Sequence, residues 1–247
     1  MTTESNVNKE ESAQQSLIQH LMELRSCILK ALLGVVVIFF GLIWFRNDIY
    51  TFVAMPLIQA LPAGSKLIAT EVTSTFLVPI KLTLWLSFFA AVPWVIYQIW
   101  LFIAPGLYQK ERRLVFPMVF SSILLFYLGM MFAYFAVMPL MFKFLVGTTP
   151  DGVEMATDIS QYLSVILRLF FIFGVAFEVP VAIILLVLMN VITVDKISSK
   201  RPYIIIGAFI VAAVVTPPDV LSQVAFAGMT IILFEVGLWI AKQLKRS

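Results

Sequence analysis

The chain has 247 residues, of which 61% are hydrophobic and 13% charged, and its mean hydropathy is +1.00. A soluble fold of this size could not bury so much apolar surface, so the composition excludes a soluble globular domain and predicts an integral membrane protein. We attribute the small net charge of +3 to the loop charges that set membrane topology rather than to nucleic-acid binding.

The single cysteine and the single histidine exclude two further kinds of site. Cys27 has no partner for an internal disulfide, and His20 has no second histidine with which to share a metal ion. The sequence contains no GxSxG, P-loop or GxGxxG motif, which argues against an intramembrane protease and against nucleotide-driven transport by this chain alone. We therefore expect neither a metal site nor a cofactor.

The N-terminal residues 1–15 are polar and show no apolar period. Such a segment predicts a flexible tail rather than a cleaved signal peptide. From Ser16 to Leu24, leucine and isoleucine recur at helical spacing between polar residues. This pattern predicts a short amphipathic helix that leads into the membrane.

Six apolar stretches follow, and they predict transmembrane helices rather than a membrane barrel. A helix needs about 20 residues to cross a bilayer, whereas barrel strands have about ten and alternate in polarity. The predicted spans are residues 28–45, 75–102, 114–137, 162–189, 203–216 and 220–241. We therefore expect an all-α polytopic membrane domain at residues 16–241, followed by a basic cytoplasmic tail at residues 242–247.

The charges of the loops predict the orientation of these spans. Lysine and arginine are concentrated before the first span, in the second and fourth loops and after the last span. The third loop instead carries Asp151, Glu154 and Asp158, and the fifth carries Asp219. By the positive-inside rule, the basic side is cytoplasmic, and six spans place both termini there.

Prolines in the apolar stretches predict bent helices that form a curved scaffold. A proline removes a backbone donor and pushes on the preceding turn, so Pro93 and Pro180, which lie well inside their stretches, should kink them. The prolines expected to act on helices are Pro79, Pro93, Pro117, Pro139 and Pro180.

The fifth predicted span is unusually short. Residues 203–216 make about 21 Å of helix, against a hydrocarbon core of about 30 Å, before Pro217 and Pro218 stop it. Either the bilayer thins around this hairpin or its turn lies below the outer surface. We predict that the fifth and sixth spans are both short.

Glu178 is a candidate intramembrane polar site. An ionised, unpaired carboxylate at mid-span would cost several kcal/mol, so it must be protonated, hydrogen-bonded or open to water. Arg168 is not an obvious partner, because ten residues are about 15 Å along a helix. Two interpretations remain open, a protonated carboxyl that holds helices together and a wet cavity that contacts substrate. For Arg168, Lys81 and Glu235, nearer the span ends, we expect side chains that reach the headgroup region.

Four short motifs are spread along the chain. They are HLMELR at residues 20–25, FIAPGLYQKERR at 102–113, FGVAFEVP at 173–180 and TPPD at 216–219. On composition alone, the second of these would be an aromatic belt at the membrane interface, with Glu111 neutralised by Arg112 or Arg113. Together, in this order and on six spans, the motifs resemble those of the TatC family, the multispanning component of the twin-arginine protein translocase.

This resemblance covers about residues 16–241 and implies a translocase subunit rather than an enzyme. It implies a receptor that binds twin-arginine signal peptides of folded proteins, with Glu23 and Glu111 at the positions that the family assigns to the arginines. A guanidinium group matches the two oxygens of a carboxylate, which suits that role. The other residues that the resemblance places in the peptide site are Arg25, Phe102, Pro105, Leu107, Tyr108 and Arg113.

The resemblance also implies partners in the inner membrane. The family docks a transmembrane helix of TatB or TatA near the positions of Thr216 and Gln223, and Phe226 lies on the same helical face as Gln223. The further expected partners are membrane lipids and other copies of the chain. The loop positions expected to be structurally or functionally sensitive are Pro56, Pro217, Pro218 and Asp219.

Two other functions remain open from the residues alone. A secondary transporter of small molecules or ions would use Glu178 and the kinked helices, although the internal repeat typical of such transporters is not evident. A passive scaffold would bind only other membrane helices. Loss of Glu23 and Glu111 would leave the partner binding of such a scaffold unchanged.

Overall fold

The protein was analysed as a computed structural model, which describes residues 2–60, 68–71, 73–104, 114–148, 158–216 and 219–246. Side chains are described from Ile18 onward, except those of residues 56–60, 146 and 246. The described residues are helical apart from short connections. The helices are α1 (Thr2–Leu42), α2 (Arg46–Ala60), α3 (Ser74–Ile103), α4 (Val115–Phe132), α5 (Met138–Gly147), α6 (Ile159–Phe177), α7 (Val179–Leu188), α8 (Val194–Ser199), α9 (Arg201–Val215) and α10 (Val220–Arg246), with a 3-10 turn at Ile43–Phe45 and a π-helical turn at Ala133–Val137.

Five helical segments are long and apolar enough to cross a membrane, and they correspond to five of the six predicted spans. These segments are Ile18–Met55, Ser74–Ile103, Val115–Leu145, Ile159–Leu188 and Val220–Lys245. The backbone of α1 is already helical at Thr2, so residues 2–15 adjoin the first span without a helix boundary. The division into tail, membrane domain and C-terminal segment remains a prediction.

The fifth predicted span is α9, which has 15 residues and is shorter than each of the five segments that are long enough to cross a membrane. Its length of about 22 Å falls short of a core of about 30 Å. The sixth span, α10, has 27 residues, so the prediction that it is short is wrong. The helix continues through Lys242 and Lys245 because lysine and its neighbours here are good helix formers.

Prolines interrupt some spans and not others. The fourth span breaks at Glu178, and Pro180 follows in the first turn of α7, where no backbone donor is needed. In the third span, the π-helical turn Ala133–Val137 ends two residues before Pro139. The second span, α3, instead remains helical through Pro79 and Pro93.

The core forms around α6, whose side chains Ile166, Leu169 and Phe173 are fully buried. Glycine allows α4 to approach α6 closely, because a Cβ atom at Gly129 would meet the carbonyl oxygen of Phe173. On the other side of the bundle, a Cβ at Gly237 of α10 would lie 2.7 Å from the Cα of Pro180. The fourth span is therefore packed between the third and the sixth.

Candidate functional site

Two residues assigned to the peptide site by sequence, Glu23 and Phe102, lie at the same end of the α1–α3 pair. The ring of His20 on α1 stacks on Phe102 at the end of α3, with centroids 4.3 Å apart and an angle of 22°. The Nδ1 atom of His20 lies 3.7 Å from Oε2 of Glu23, whose side chain is half exposed. The carboxylate is thus held beside an aromatic platform and is open to solvent.

Arg25 lies two residues beyond Glu23 and is exposed. Two residues are about 200° apart around a helix, so the two side chains leave α1 on different sides. Among the described carboxylates, none forms an ion pair with Arg25. Arg25 therefore leaves the charge of Glu23 unneutralised.

An apolar groove of about 320 Å³ runs between α1 and α3 from this end. Leu24 and Phe102 line one end of the groove, and Val35 and Phe88 line the other. Gln98 also lines it, and the buried Oε1 atom of this residue has no hydrogen-bond partner among the described residues. The carboxylate of Glu23 therefore stands beside the mouth of a groove that suits an apolar chain segment.

Trp94 packs α3 against α1 next to the residues that line this groove. The Nε1 atom of Trp94 donates a hydrogen bond to the carbonyl oxygen of Lys30, at 2.9 Å. The indole also occupies the space that a Cβ atom at Gly34 would need. A side chain at position 34 would therefore separate the two helices that form the groove.

Glu178 occupies the break between α6 and α7 and reaches a neighbouring helix. Its carboxyl interacts with the hydroxyl of Ser122 on α4, a side chain that is 2% exposed. The buried Oε1 atom of Glu178 has no hydrogen-bond partner among the described residues. The contact with Ser122 supplies the partner that the sequence did not identify, and it favours the interpretation in which Glu178 holds helices together.

The predicted partner-docking residues lie around the start of α10. Gln223 is partly exposed, whereas the side chain of Thr216 is buried and its hydroxyl donates to the Ala212 carbonyl oxygen, at 2.8 Å. Phe226 is 4% exposed and packs edge-on against Phe173, with centroids 5.2 Å apart. The remaining edge of Phe226 lines an apolar groove of about 380 Å³ between α6, α9 and α10.

Asp219, predicted to be a sensitive loop residue, caps the start of α10. Its Oδ2 atom accepts a hydrogen bond from the backbone N–H of Ser222, at 2.6 Å. The carboxylate is almost fully buried, and its Oδ1 atom has no partner among the described residues. Asp219 therefore begins the sixth span.

Residues 19–228 match the model of the family described as TatC, Sec-independent protein translocase protein. The chain belongs to the TatC family. It is 52% identical over 228 residues to the Sec-independent protein translocase protein TatC of Escherichia coli strain K12, covering 92% of this chain and 88% of that one. Identity to TatC of Haemophilus influenzae is 51% over 228 residues, covering 92% and 89%.

Solved structures agree with this assignment to the TatC family. A crystal structure of the twin-arginine translocase receptor TatC has a TM-score of 0.79 and 34% identity, covering 91% of this chain and 98% of that one. A second crystal structure of this receptor, in the detergent DDM, has a TM-score of 0.81 and 33% identity, covering 90% and 99%. The all-α fold and the resemblance expected from the four motifs are confirmed. The chain is a multispanning membrane subunit of a Sec-independent protein translocase, which implies partnership in a Tat complex.

Several residues expected from the TatC resemblance lie outside the described residues. They are Pro105, Leu107, Tyr108, Glu111 and Arg113 of the second loop, and Pro217 and Pro218 of the fifth. The side chain of Pro56 is not described either, but its backbone lies in helix α2 rather than in a loop. The helix extends this far because Val53 and Ala54 are buried against the core.

Asp158, expected only to contribute a loop charge, has a structural role that was not predicted. The carboxylate caps α6, because Oδ1 accepts from the N–H groups of Ser160 and Gln161, at 2.8 and 2.9 Å. Oδ2 accepts from the hydroxyl and N–H of Thr70, at 2.6 and 3.1 Å, so it joins two loops. The hydroxyl of Thr70, and after it these backbone donors, lower the pKa of Asp158 to about 2. An aspartate directly before an apolar helix is the sequence signal of such a cap.

Metal binding finds no support in the part of the chain that the structure describes. There, no group of three or more His, Cys, Asp or Glu side chains is placed to hold a metal ion.

Proposed function

We propose that the chain is the receptor subunit of a twin-arginine translocase. It recognises the twin-arginine signal peptides of folded proteins at the cytoplasmic face of the inner membrane and, with TatB and TatA, supports their export. The observation that carries this proposal is the half-exposed carboxylate of Glu23 beside His20, whose ring stacks on Phe102 at the mouth of the apolar groove between α1 and α3.

The two parts of this site match the two parts of a signal peptide. Such a peptide has a cationic region followed by an apolar segment of about 7–15 residues. A guanidinium group can donate two parallel hydrogen bonds to a carboxylate, which a lysine ammonium cannot do. Glu23, together with Glu111, binds the arginines, and the groove receives the beginning of the apolar segment.

Partner recognition uses the second groove, between α6, α9 and α10. Its lining is almost entirely apolar, with the hydroxyl of Thr230 as one polar group, and suits a transmembrane helix of TatB or TatA. Gln223 offers a side-chain amide near the beginning of α10. An amide surrounded by lipid is stabilised when a polar side chain on the docked helix forms a hydrogen bond with it.

In this proposal the chain is a receptor and not a catalyst. Both termini lie in the cytoplasm, as the positive-inside rule predicts. The end of the α1–α3 pair that carries Glu23 is then the cytoplasmic end. A signal peptide therefore meets this site before any part of its cargo has crossed the membrane.

Peptide binding to the purified, lipid-reconstituted chain tests the proposal. A labelled twin-arginine peptide is compared with its twin-lysine version, which keeps both charges but not the guanidinium groups. We expect Glu23→Gln and Glu111→Gln each to weaken arginine-peptide binding about tenfold or more, since a lost hydrogen bond between charged groups costs about 1.5–3 kcal/mol.

The matched control is Asp195→Asn, which removes an exposed carboxylate that makes no ion pair with a described residue. Glu235 is less suitable, because its Oε2 atom pairs with Nη2 of Arg201 at 2.8 Å. Equal binding of the two peptides, or equal losses in Glu23→Gln and Asp195→Asn, would contradict the proposal.

A further inference from the structure

A second polar site lies between α3 and α6, nearer the end of α3 that is opposite to Phe102. A cavity of about 310 Å³ is lined by Lys81, Trp85, Ser164, Leu167, Arg168 and Phe171. Two cations and a hydroxyl therefore meet in one cavity on two membrane-spanning helices. The proposed receptor function uses none of these residues.

Helical spacing places the polar side chains in two layers. Lys81 and Trp85 lie one turn apart on α3, and Ser164 and Arg168 lie one turn apart on α6. The Nζ atom of Lys81 donates a hydrogen bond to Oγ of Ser164 at 3.1 Å, which joins the helices at the first layer. Trp85 and Arg168 form the second layer, deeper in the span.

An aromatic base closes the cavity. The rings of Trp85 and Phe171 meet edge-on with centroids 5.9 Å apart. Phe171 remains 37% exposed, and the neighbouring Leu84 is 49% exposed, so an apolar surface continues outward from the cavity. A molecule that fills this site can thus be anionic at one end and apolar at the other.

The two cations have no acidic partner among the described residues, because the described ion pairs involve other side chains. Lys81 lies about 10 Å and Arg168 about 14 Å along the helix from the first residues of α3 and α6. At this depth, long basic side chains extend to the headgroup region. Two adjacent cations repel each other, and an anion between them relieves that repulsion.

We propose that this cavity binds the phosphate of an anionic phospholipid from the leaflet at the end where α3 and α6 begin. Arg168 donates two parallel hydrogen bonds to phosphate oxygens, and Lys81 adds a second positive charge. Trp85 and Phe171 contact the glycerol and the upper acyl chains, as aromatic residues do at membrane interfaces. A lipid fits better than free phosphate because the cavity adjoins exposed apolar side chains within the spans.

The test is a lipid titration of the full-length chain in detergent, followed by native mass spectrometry. The probes are phosphatidylglycerol and phosphatidylcholine with identical acyl chains. We expect the wild type to prefer phosphatidylglycerol, whose negative charge no ammonium group offsets. The double variant Lys81→Gln/Arg168→Gln should lose about 30-fold in phosphatidylglycerol affinity, since each basic residue near a lipid surface contributes about fivefold.

The matched control is Arg46→Gln/Lys143→Gln, which removes two cations from the same end of the bundle. Arg46 lies over the ring of Phe76, 5.8 Å from its centroid, and Lys143 is exposed on α5. This pair should keep the preference for phosphatidylglycerol. Equal losses in the two double variants, or no preference between the lipids in the wild type, would overturn the proposal.

Two further measurements distinguish a loss of lipid binding from a loss of folding, and a lipid phosphate from free phosphate. Arg168→Gln alone breaks no hydrogen bond to a described residue, so it should keep the thermal midpoint of the wild type and lose about fivefold in affinity. Arg168→Lys should retain part of that affinity because it keeps the charge. If inorganic phosphate alone raises the thermal midpoint as much as phosphatidylglycerol does, the site binds free anions and the lipid proposal fails.

Discussion

The hydroxyl of Tyr127 on α4 donates a hydrogen bond to the carbonyl oxygen of Phe89 on α3, at 3.0 Å. In an α-helix this carbonyl would accept from the N–H of residue 93, which here is a proline and has none. A side chain from a neighbouring span thus replaces the missing donor. Lipid offers no other hydrogen-bond donor to the Phe89 carbonyl oxygen. The Tyr127 hydroxyl therefore allows α3 to stay helical through Pro93.

We predict that Tyr127→Phe lowers the free energy of unfolding by about 1 kcal/mol, the value typical of a hydrogen bond between membrane helices. Pro93→Ala restores the backbone donor, so in that background Tyr127→Phe should have a smaller effect. Denaturant unfolding in detergent micelles, performed as a double-mutant cycle, measures both values.

Tyr203→Phe is the matched control, because Tyr203 is 70% exposed and its hydroxyl makes no hydrogen bond with a described residue. It should leave the free energy of unfolding nearly unchanged. The same loss from Tyr127→Phe with and without Pro93 would mean that the hydroxyl does not act through the proline.

The depressed pKa of Asp158 predicts a specific acid sensitivity. The folded pKa of about 2 lies below the ordinary value of 3.8, so the ionised carboxylate stabilises the fold at higher pH. That stabilisation is fully present above about pH 4 and is lost as the pH falls through about 2. The protection of the Thr70, Ser160 and Gln161 amides against hydrogen exchange should therefore fall in this pH interval, after correction for the intrinsic pH dependence of exchange.

Asp158→Asn should remove this acid dependence, because an amide does not titrate and its NH2 group cannot accept from Thr70. The exchange of the same amides would then be faster already at neutral pH. Asp48→Asn, an exposed residue in the first turn of α2, serves as the control. Unaltered acid dependence in Asp158→Asn would assign the effect to another carboxylate.

The close contact at Gly129 predicts that a larger residue there disrupts the packing of α4 against α6. A Cβ atom there meets the backbone carbonyl oxygen of Phe173, which cannot rotate away as a side chain could. We expect Gly129→Ala to lower the free energy of unfolding by about 1–3 kcal/mol. Gly41→Ala introduces the same methyl group where no atom lies within 4 Å, and should be neutral or slightly stabilising. Thermal unfolding of both variants in micelles measures the difference, and similar midpoints would contradict the close contact between α4 and α6.

The stacking of His20 on Phe102 predicts that an uncharged substitution, Phe102→Ala, weakens signal-peptide binding. Phe102→Ala removes the ring that holds His20 beside Glu23 and shortens the groove wall. We expect peptide affinity to fall about fivefold to tenfold, as for loss of an aromatic contact worth about 1–1.5 kcal/mol. Phe116→Ala removes an aromatic ring that is 81% exposed and should have no effect on binding. Equal affinities of the two variants would exclude a role for the stack.

Much of the fold could be predicted because hydrophobic length is a local property of the sequence. Five spans and the short α9 follow from counting apolar residues, and the break at Glu178 follows from Pro180. The length of α10 could not be read in this way, because lysine ends an apolar stretch without ending a helix.

Contacts between residues far apart in the chain could not be predicted from the sequence. Serine and tyrosine give no signal that they will meet Glu178 or the Phe89 carbonyl oxygen, because each pair is separated by tens of residues. No sequence signal indicates that Glu235 forms an ion pair with Arg201 from the start of α9. At the peptide site, the motifs predicted the residue types, whereas the groove and the stack depend on the packing of α1 against α3.

The bond from Thr70 to Asp158 joins the segments that lead into the second and fourth spans, and the bond from Lys81 to Ser164 joins the two spans themselves. These two contacts oppose sliding of α3 along α6, because sliding would break both hydrogen bonds. Beyond Glu178 the chain turns into α7, which packs on α10 instead. The break at Glu178 therefore divides the fourth span into a first half that is hydrogen-bonded to α3 and a second half that packs on α10.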